Sequence, residues 1–111
     1  MHSTELLKGT LQTIILKLLS DNVRMYGYEI TQRVKEQSEG TILLTEGALY
    51  PALHRLEAEG YLKTETVKIG KRIRKYYSLT RSGRLSANDR LEEFASFIRT
   101  MSVVLSIKPQ L

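Results

Sequence analysis

Five of the eight residues from 68 to 75 are lysine or arginine, and no acidic residue interrupts them. A solvated hairpin usually mixes charges of both signs, whereas a local cluster of cations is typical of phosphate binding. Arg72 and Arg74 alternate with Ile73, so both guanidinium groups share one face if the segment is a strand. We expect Lys71, Arg72 and Arg74 to contact the phosphates or a narrow minor groove of nucleic acid. The full run comprises Lys68, Lys71, Arg72, Arg74 and Lys75.

A second set of polar groups follows Thr45, in a segment with the spacing of a helix. Hydroxyl, imidazole and guanidinium groups hydrogen-bond to phosphates and base edges, and an alanine methyl suits the methyl group of thymine. In a helix-turn-helix motif, the early exposed residues of the second helix enter the major groove. Tyr50 and His54 have an alternative interpretation, as residues that face the core or a partner. The candidate contact residues are Thr45, Glu46, Ala48, Tyr50, Pro51, His54 and Arg55.

Tyr26, Gly27 and Tyr28 form a third candidate site, because they stand where a second helix is expected to begin. The first turn of a helix presents free amide hydrogens, which bind anions such as phosphate. The alternative is that both tyrosines are half-buried packing residues. We predict that this tripeptide contacts the DNA backbone.

Catalytic and metal-binding chemistry have little support in the sequence. His2 and His54 are the only histidines, and the chain has no cysteine. No glycine-rich phosphate loop, nucleophile elbow or His-Glu-x-x-His pattern occurs. Glu92 and Glu93 are adjacent, but they lie in a segment typical of a solvated helix face. We therefore predict that the protein is not an enzyme and needs no metal or cofactor.

Length and charge agree with a small nucleic-acid-binding protein. The chain has 111 residues and a net charge of +5, which fits one domain with a small core. Counting side-chain charges from the sequence, residues 1–44 sum to zero, residues 45–83 to +4 and residues 84–111 to +1. No apolar run approaches the roughly 20 residues of a membrane span, and no signal peptide is apparent. We expect a soluble cytoplasmic protein.

Hydrophobic spacing predicts the helices that would position these groups. Residues 3–21 carry leucine and isoleucine at intervals of four, three and four, which predicts one continuous amphipathic helix. A second helix is expected from Tyr26 to about Ser38. A third, the predicted recognition helix, begins at a Thr45 cap and stops at Gly60 in a Schellman turn.

Two stretches rich in threonine, valine, isoleucine and tyrosine, residues 62–67 and 73–79, flank Gly70 and predict a β-hairpin. Strand alternation places Ile73, Tyr77 and Leu79 on the face that packs against the core. The hairpin is therefore a wing, with cations on its other face.

A long last helix is expected after Thr80, and its apolar residues recur in a heptad-like pattern. We predict an α+β, mostly α fold: a winged helix-turn-helix of three helices and a two-stranded wing, followed by a long dimerisation helix. Residues 1–80 would bind DNA, and residues 81–111 would pack with the first helix in a single compact domain. The predicted dimerisation residues are Leu7, Leu11, Leu91, Phe94, Ile98, Met101 and Leu105.

Several of these segments resemble the PadR family of transcriptional regulators, in its branch with a short C-terminal domain. A proline within the recognition helix, here Pro51, is part of that resemblance. It implies a homodimer joined through the first and last helices, a roughly palindromic DNA operator, and repression relieved by a small molecule, often aromatic or a cationic drug. The matching stretches are residues 7–11, 26–30, 46–57, 60–62 and 74–80.

The chain departs from the drug-responsive members of that family because it has no tryptophan, so a pocket of paired tryptophans cannot form. Phe94 and Phe97 are possible substitutes, although their helical spacing is more typical of a core. We expect a small apolar or aromatic inducer to bind between the first and last helices. The enclosing residues would be Leu7, Leu11, Phe94, Ile98 and Met101.

The best-supported function is therefore a ligand-relieved, homodimeric repressor that binds double-stranded DNA. One alternative is a winged-helix module that binds protein; the cationic wing disfavours it, since protein interfaces are depleted in lysine. Another is a metal-sensing winged-helix repressor. The lack of cysteine and of clustered histidine disfavours this class.

Overall fold

Five helices and three strands lie within residues 2–108, the part of the chain that the computed structural model describes. The predicted winged helix-turn-helix with a long last helix is confirmed; residues 109–111, the end of the predicted dimerisation segment, lie outside the described residues. The helices are α1 (Thr4–Lys8), α2 (Leu11–Asp21), α3 (Gly27–Gln37), α4 (Glu46–Ala58) and α5 (Arg81–Val104). The strands are β1 (Met25–Tyr26), β2 (Leu62–Ile69) and β3 (Arg72–Leu79).

The N-terminal segment forms two helices, so the prediction of one continuous helix was wrong. Gly9 ends α1 and Thr10 begins α2. The Thr10 hydroxyl donates to the carbonyl of Leu7 at 3.1 Å, a side-chain bond that competes with continued helix. Glycine adds a further cost of about 1 kcal/mol in a helix interior. Apolar periodicity continues across this break and therefore hid it.

The predicted ends of the recognition helix are confirmed. The Thr45 hydroxyl accepts a hydrogen bond from the amide of Ala48 at 3.2 Å, which caps the start of α4. At the other end Gly60 has φ +83°, and the Tyr61 amide donates to the carbonyl of Leu56 at 2.9 Å. This is the Schellman arrangement, which favours glycine because of the positive φ.

The sheet has three strands in the order β1-β3-β2, one more than predicted. Met25 pairs with Tyr77 and Tyr26 with Tyr76, antiparallel. A strand of two residues is too short to produce an alternating pattern, so no pattern in the sequence indicated β1. β2 and β3 are also longer than predicted, and they leave a two-residue turn in which Gly70 has φ +60°.

The hairpin extends beyond the rest of the molecule. Tyr77 and Leu79 are buried as predicted, but Ile73 is 74% exposed, so its predicted core position was wrong. Strand alternation determines which face a side chain lies on. Strand alternation does not determine whether a helix covers that face. Near the wing tip no helix of the described residues covers it.

The core lies where α2, α3, α4 and the base of the sheet meet. The last helix joins it through Ala87, which is 1% exposed. The Arg90 guanidinium also donates to the side-chain oxygen of Gln12 at 2.6 Å, across to α2. The largest fully buried side chains are Ile15, Leu16, Leu19, Met25, Ile30, Leu49, Leu53, Leu56 and Tyr77.

The start of α5 is fixed against the turn that follows α4. The Thr80 hydroxyl donates to the carbonyl of Gly60 at 2.6 Å, and the Thr80 amide donates to the carbonyl of Tyr61 at 3.0 Å. Gly83 lies so close that a Cβ there would overlap the Tyr61 carbonyl oxygen. Close backbone packing therefore sets the direction in which α5 leaves the winged helix.

We predict that Gly83→Ala lowers the free energy of unfolding by about 1–3 kcal/mol, the usual cost of overpacking. Gly47→Ala is the matched control, because Gly47 also lies in the first turn of a helix but has nothing within 4 Å of an added Cβ. The control should be neutral or slightly stabilising. Urea unfolding followed by circular dichroism measures the free energy of unfolding of both variants. Equal stabilities of Gly83→Ala and Gly47→Ala would contradict the close packing of Gly83 against Tyr61.

Candidate nucleic-acid interface

The recognition helix α4 buries one side and exposes the other. Leu49, Leu53 and Leu56 are fully buried, which orients the remaining face outward. Tyr50 is 36% exposed, so it belongs to both the packing and the surface. The predicted contact residues Thr45, Glu46, Ala48, Tyr50, Pro51, His54 and Arg55 are all exposed.

Tyr50 connects α4 to the start of α3. Gly27 is buried, and a Cβ there would overlap the Tyr50 hydroxyl and lie 2.9 Å from the Cζ atom of the ring. The His54 ring follows, with its centroid 6.4 Å from that of Tyr50. The packing interpretation of Tyr50 is therefore correct for one edge of the ring, while its other edge remains at the surface.

A cleft of about 370 Å³ lies between the start of α3, Tyr50 and the wing. Strand β1 pairs with β3 only at Tyr76 and Tyr77, so the more distal part of β3 has a free edge here. The cleft collects residues from all three predicted contact groups, which lie far apart in the sequence. They are Tyr26, Gly27, Tyr28, Tyr50, Arg72 and Arg74, and Lys75 also lines the cleft.

Arg74 belongs to a stack of alternating arginine and tyrosine side chains. Its guanidinium lies 3.9 Å from the centre of the Tyr26 ring, and the Tyr26 and Tyr76 rings meet edge to face at 5.6 Å. Arg24 covers Tyr76 at 4.0 Å. Cation–π contacts of this kind stabilise the pairing of β1 with β3. The stack joins the wing to the segment that precedes α3.

The position of Arg74 also affects its ionisation. Its guanidinium donates to the Tyr76 hydroxyl at 3.5 Å, and this hydrogen bond raises the pKa of Arg74 above its usual value. Because an arginine is charged throughout the useful pH range, the charge itself does not change. Arg74 therefore brings a permanent positive charge to the cleft, in an orientation set by the two tyrosines.

Arg24 is a residue of this site that the sequence analysis missed. Besides covering Tyr76, it forms an ion pair with Glu65 on β2. An isolated arginine before a helix carries no distinctive pattern, and its partners are 41 and 52 residues away. Only the pairing of β1 with β3 brings the three together.

The five wing cations do not have equivalent surroundings. Lys75 lies 3.9 Å from the carboxylate of Glu57 on α4. The same carboxylate accepts a hydrogen bond from the Thr64 hydroxyl. Lys68, Lys71 and Arg72 are exposed and form no ion pair within residues 2–108. The cations available to a phosphate therefore concentrate at the wing tip.

The start of α3 is a less open anion site than predicted. The carboxylate of Glu29 accepts a hydrogen bond from the Tyr26 amide at 3.1 Å, so the helix already carries its own acidic cap. Tyr28 is 56% exposed. Tyr28 is therefore a more accessible contact than the backbone of Tyr26.

The predicted dimerisation residues separate into three groups by their burial. Leu11 is 8% exposed and belongs to the core of its own chain. In contrast, Ile98 and Leu105 are 37% and 57% exposed, beside Phe97 and Val104, which are also exposed. Leu7, Leu91, Phe94 and Met101 are half-buried. The second half of α5 thus has an apolar surface that its own chain does not cover.

The cleft that contains Leu7 and Leu11 differs from the inducer site predicted from the sequence. Its opposite wall is α4 and the loop before it, not Phe94, Ile98 and Met101. The inducer site between the first and last helices therefore stays a prediction. Helix α1, which ends at Gly9, shares this cleft with the recognition helix.

We predict different effects on stability for the two arginines of the wing. Arg74→Ala removes a stacked guanidinium and should lower the urea midpoint of unfolding. Arg72→Ala changes an exposed side chain and should leave the free energy of unfolding within about 0.5 kcal/mol. If both variants unfold at the wild-type midpoint, the stack contributes nothing to stability.

Among the described residues 2–108, no helix is long and apolar enough to cross a membrane. In the same part of the chain, no group of three or more histidine, cysteine, aspartate or glutamate side chains is placed to hold a metal ion.

Comparison with known proteins identifies relatives of the whole fold. Over 94 residues the chain is 37% identical to the transcriptional regulator Rv3488 of Mycobacterium tuberculosis, covering 82% of this chain and 84% of that one. A transcriptional regulator from Clostridium thermocellum has the same fold, with a TM-score of 0.83, 30% identity, and coverage of 89% and 96%. Bacillus subtilis PadR in complex with operator DNA aligns with a TM-score of 0.66 and 33% identity, over 73% of this chain and 46% of that one.

Residues 15–89 match the family described as the transcriptional regulator PadR-like family. This match runs from within α2 through the recognition helix and the wing to the start of α5. Family members are transcriptional regulators rather than enzymes, in agreement with the prediction from the sequence. The chain is a member of the PadR-like family of transcriptional regulators.

Proposed function

We propose that this regulator binds operator DNA as a homodimer and acts as a repressor that a small ligand releases. The observation that carries the proposal is the cleft in which the start of α3, Tyr50 and the cationic wing meet. The relative from Bacillus subtilis, solved with operator DNA, aligns over 73% of this chain. That alignment supports DNA as the partner.

In this proposal α4 enters the major groove and the wing contacts the adjacent backbone or minor groove. His54 and Arg55 lie on the exposed face of α4, from which both side chains can reach base edges or phosphates. Arg55 also lies 3.6 Å from the carboxylate of Glu59. Lys71 and Arg72 lie at the wing tip without an ionic partner among the described residues. Helix and wing would therefore contribute in different ways, the helix to sequence recognition and the wing to electrostatic affinity.

The homodimer is proposed from the apolar surface of α5. Exposed apolar surface on this scale usually marks an interaction site, and the exposed residues continue the heptad-like seam. A second copy would cover both seams at once by two-fold symmetry. Two recognition helices would then reach half-sites roughly 34–36 Å apart, one helical turn of DNA.

Selection of bound sequences from random duplex DNA tests the function directly. A DNA-binding regulator should enrich a roughly palindromic sequence. The alternative, a module that binds protein, predicts no enrichment and no retention of duplex DNA at low salt.

We predict that mutations in the wing and in the recognition helix change DNA binding in different ways. Lys71→Ala should weaken binding to all sequences and flatten the slope of log K against log salt by about 0.9 per lost phosphate contact, near two units in a dimer. Lys35→Ala, at the far end of α3, is the matched control and should leave the slope unchanged. Fluorescence anisotropy across a salt series measures both.

His54→Ala should instead leave the salt slope nearly unchanged. Loss of a base contact would narrow the difference in binding free energy between operator and random DNA by about 1–3 kcal/mol. If Lys71→Ala alters sequence preference while His54→Ala alters the salt slope, the two elements have the opposite roles. If neither variant changes binding, the DNA-binding surface lies elsewhere.

We predict that changing Leu91 and Ile98 together to Glu produces a monomer, because unpaired charges in an apolar interface cost several kcal/mol. Sedimentation should show a dimer for the wild-type protein and a monomer for the variant, with a large loss of operator affinity. Leu85→Glu is the control, since Leu85 lies on α5, 62% exposed, but outside the seam. A wild-type monomer at micromolar concentration would contradict the proposed dimer.

A further inference from the structure

The outer face of the sheet carries a row of side chains that crosses all three strands. Tyr26 on β1 pairs with Tyr76 on β3, and Tyr76 pairs with Glu65 on β2. Residues directly opposite each other on antiparallel strands lie on the same face of a sheet. Met25 and Tyr77, which alternate with them on the other face, are each 1% exposed. The row of Tyr26, Tyr76 and Glu65 therefore lies on the face turned away from the core.

Arg24 spans this row from the residue that precedes β1. Its guanidinium lies 4.0 Å from the centre of the Tyr76 ring and forms an ion pair with Glu65. One side chain thus connects the start of β1 to both strands of the wing. Arg74 makes the reciprocal contact, from β3 onto the ring of Tyr26 at 3.9 Å. Two cation–π contacts therefore cross the junction between β1 and β3 in opposite directions.

Backbone pairing alone holds this junction weakly. Strand β1 has two residues, so it supplies few hydrogen bonds to β3. The hairpin beyond Tyr76 extends past the helices, and a two-stranded hairpin by itself is only marginally stable in water. The direction of the wing therefore depends on side-chain contacts at its base.

Side-chain contacts hold the base of the wing from both faces. On the core face, Lys75 lies 3.9 Å from the carboxylate of Glu57, and the Thr64 hydroxyl donates to that carboxylate at 3.3 Å. A hairpin held along one face can still tilt about that line of contacts. Arg24 holds the opposite face through Glu65. The two sets of contacts together restrict the angle of the wing.

This angle is coupled to the recognition helix through β1. Strand β1 leads directly into α3, whose first residue, Gly27, packs against Tyr50 of α4. The contacts around β1 therefore set how the wing tip lies relative to the exposed face of α4. Arg24 is outside the cleft beside the wing, which Tyr50 and Arg72 line. Its own guanidinium faces Tyr76 instead.

We infer that Arg24 is a positioning residue for DNA binding, which holds the wing at the angle at which its tip meets the DNA backbone while α4 lies in the major groove. This role rests on the proposed function, because it concerns how the same surface meets DNA. Arg24 acts through Tyr76 and Glu65 and does not contact DNA itself. An exposed ion pair contributes little to stability. A wing that is not held in place, however, loses more conformational entropy when it binds.

The direction of the effect of Glu65→Gln distinguishes positioning from direct contact with DNA. Removing an acidic side chain beside a cation increases the attraction to phosphates, so a direct contact by Arg24 predicts tighter operator binding. Positioning predicts binding weaker by about threefold to tenfold for each wing, because Arg24 loses its anchor on β2. Arg24→Gln should weaken operator binding at least as much. Operator binding by Glu65→Gln that equals or exceeds that of the wild type would overturn the inference.

The ion pair between Lys17 and Asp21 on α2 provides matched controls. Lys17→Gln and Asp21→Asn remove the same charges as the two wing variants, outside the proposed DNA contacts, and should bind operator within about twofold of wild type. Val34→Ala removes buried methyl groups from α3 and lowers the free energy of unfolding; it should also bind operator like wild type. Controls that weaken binding as strongly as the wing variants would mean that charge or stability explains the effect, which overturns the inference.

Spin-label distances measure the angle of the wing directly. The chain has no cysteine, so Lys35→Cys on α3 and Lys68→Cys on the wing give one labelled pair for each protomer. Dilution with unlabelled protein restricts the signal to pairs within one protomer. We expect a narrow distance distribution with the native Arg24 and Glu65, and a broader or shifted one in Arg24→Gln and Glu65→Gln. An unchanged distribution in both variants would overturn the inference.

The binding and distance measurements together separate this inference from the proposed function. Operator binding by the wild type that neither Arg24→Gln nor Glu65→Gln weakens would overturn the inference and leave the proposed function intact. Distances that broaden in both variants of a protein that binds no duplex DNA would overturn the proposed function, but not the orientation of the wing by Arg24.

Discussion

The contact between Gly27 and Tyr50 controls how the recognition helix presents its exposed face. Three buried leucines hold α4 against the core, but an apolar stripe alone allows a helix to roll by several degrees. The Tyr50 ring removes that freedom, because its hydroxyl end lies where any Cβ on Gly27 would be. The start of α3 and the exposed face of α4 are therefore held in one arrangement. The cleft beside the wing exists because of that arrangement.

The same constraint explains how the cations of the wing divide into two roles. Near the base of the sheet, Arg74 and Lys75 contact tyrosines and Glu57, and they help to hold the hairpin against the helices. At the tip, Lys71 and Arg72 are exposed and form no ion pair within residues 2–108. A wing anchored at its base and charged at its tip suits contact with a phosphate backbone. An element that is already held in place loses less conformational entropy when it binds.

Residues 2–108 leave two apolar surfaces uncovered, and these differ in their surroundings. The second half of α5 exposes large side chains over several turns, such as Phe97 and Val104, as expected for contact with another helix. The cleft between α1 and α4 is concave and has Lys8 and Arg55 beside its leucines. Leu7 and Leu11, on either side of the break at Gly9, both line it.

Local patterns in the sequence determined the order of the elements and most of their ends. Thr45, Gly60 and Thr80 act through hydrogen bonds to neighbours a few residues away, so their capping roles could be predicted from the sequence. The cationic run and the family resemblance likewise identify the wing and the recognition helix. These features depend on neighbouring residues or on motif spacing, and both are visible in a single chain.

Tertiary structure alone decided which of those residues act together. The stack of Arg24 on Tyr76, the partner of Lys75 on α4, and the exposure of Ile73 all depend on how separate elements meet. The cleft between α1 and α4 likewise brings together residues from both ends of the winged helix-turn-helix's helical part, such as Leu7 and Arg55. Such contacts join residues tens of positions apart, and their energies depend on three-dimensional distance and burial. A pattern of residue types along the chain contains neither quantity, which is why the sequence predicted the parts of the site but not their pairing.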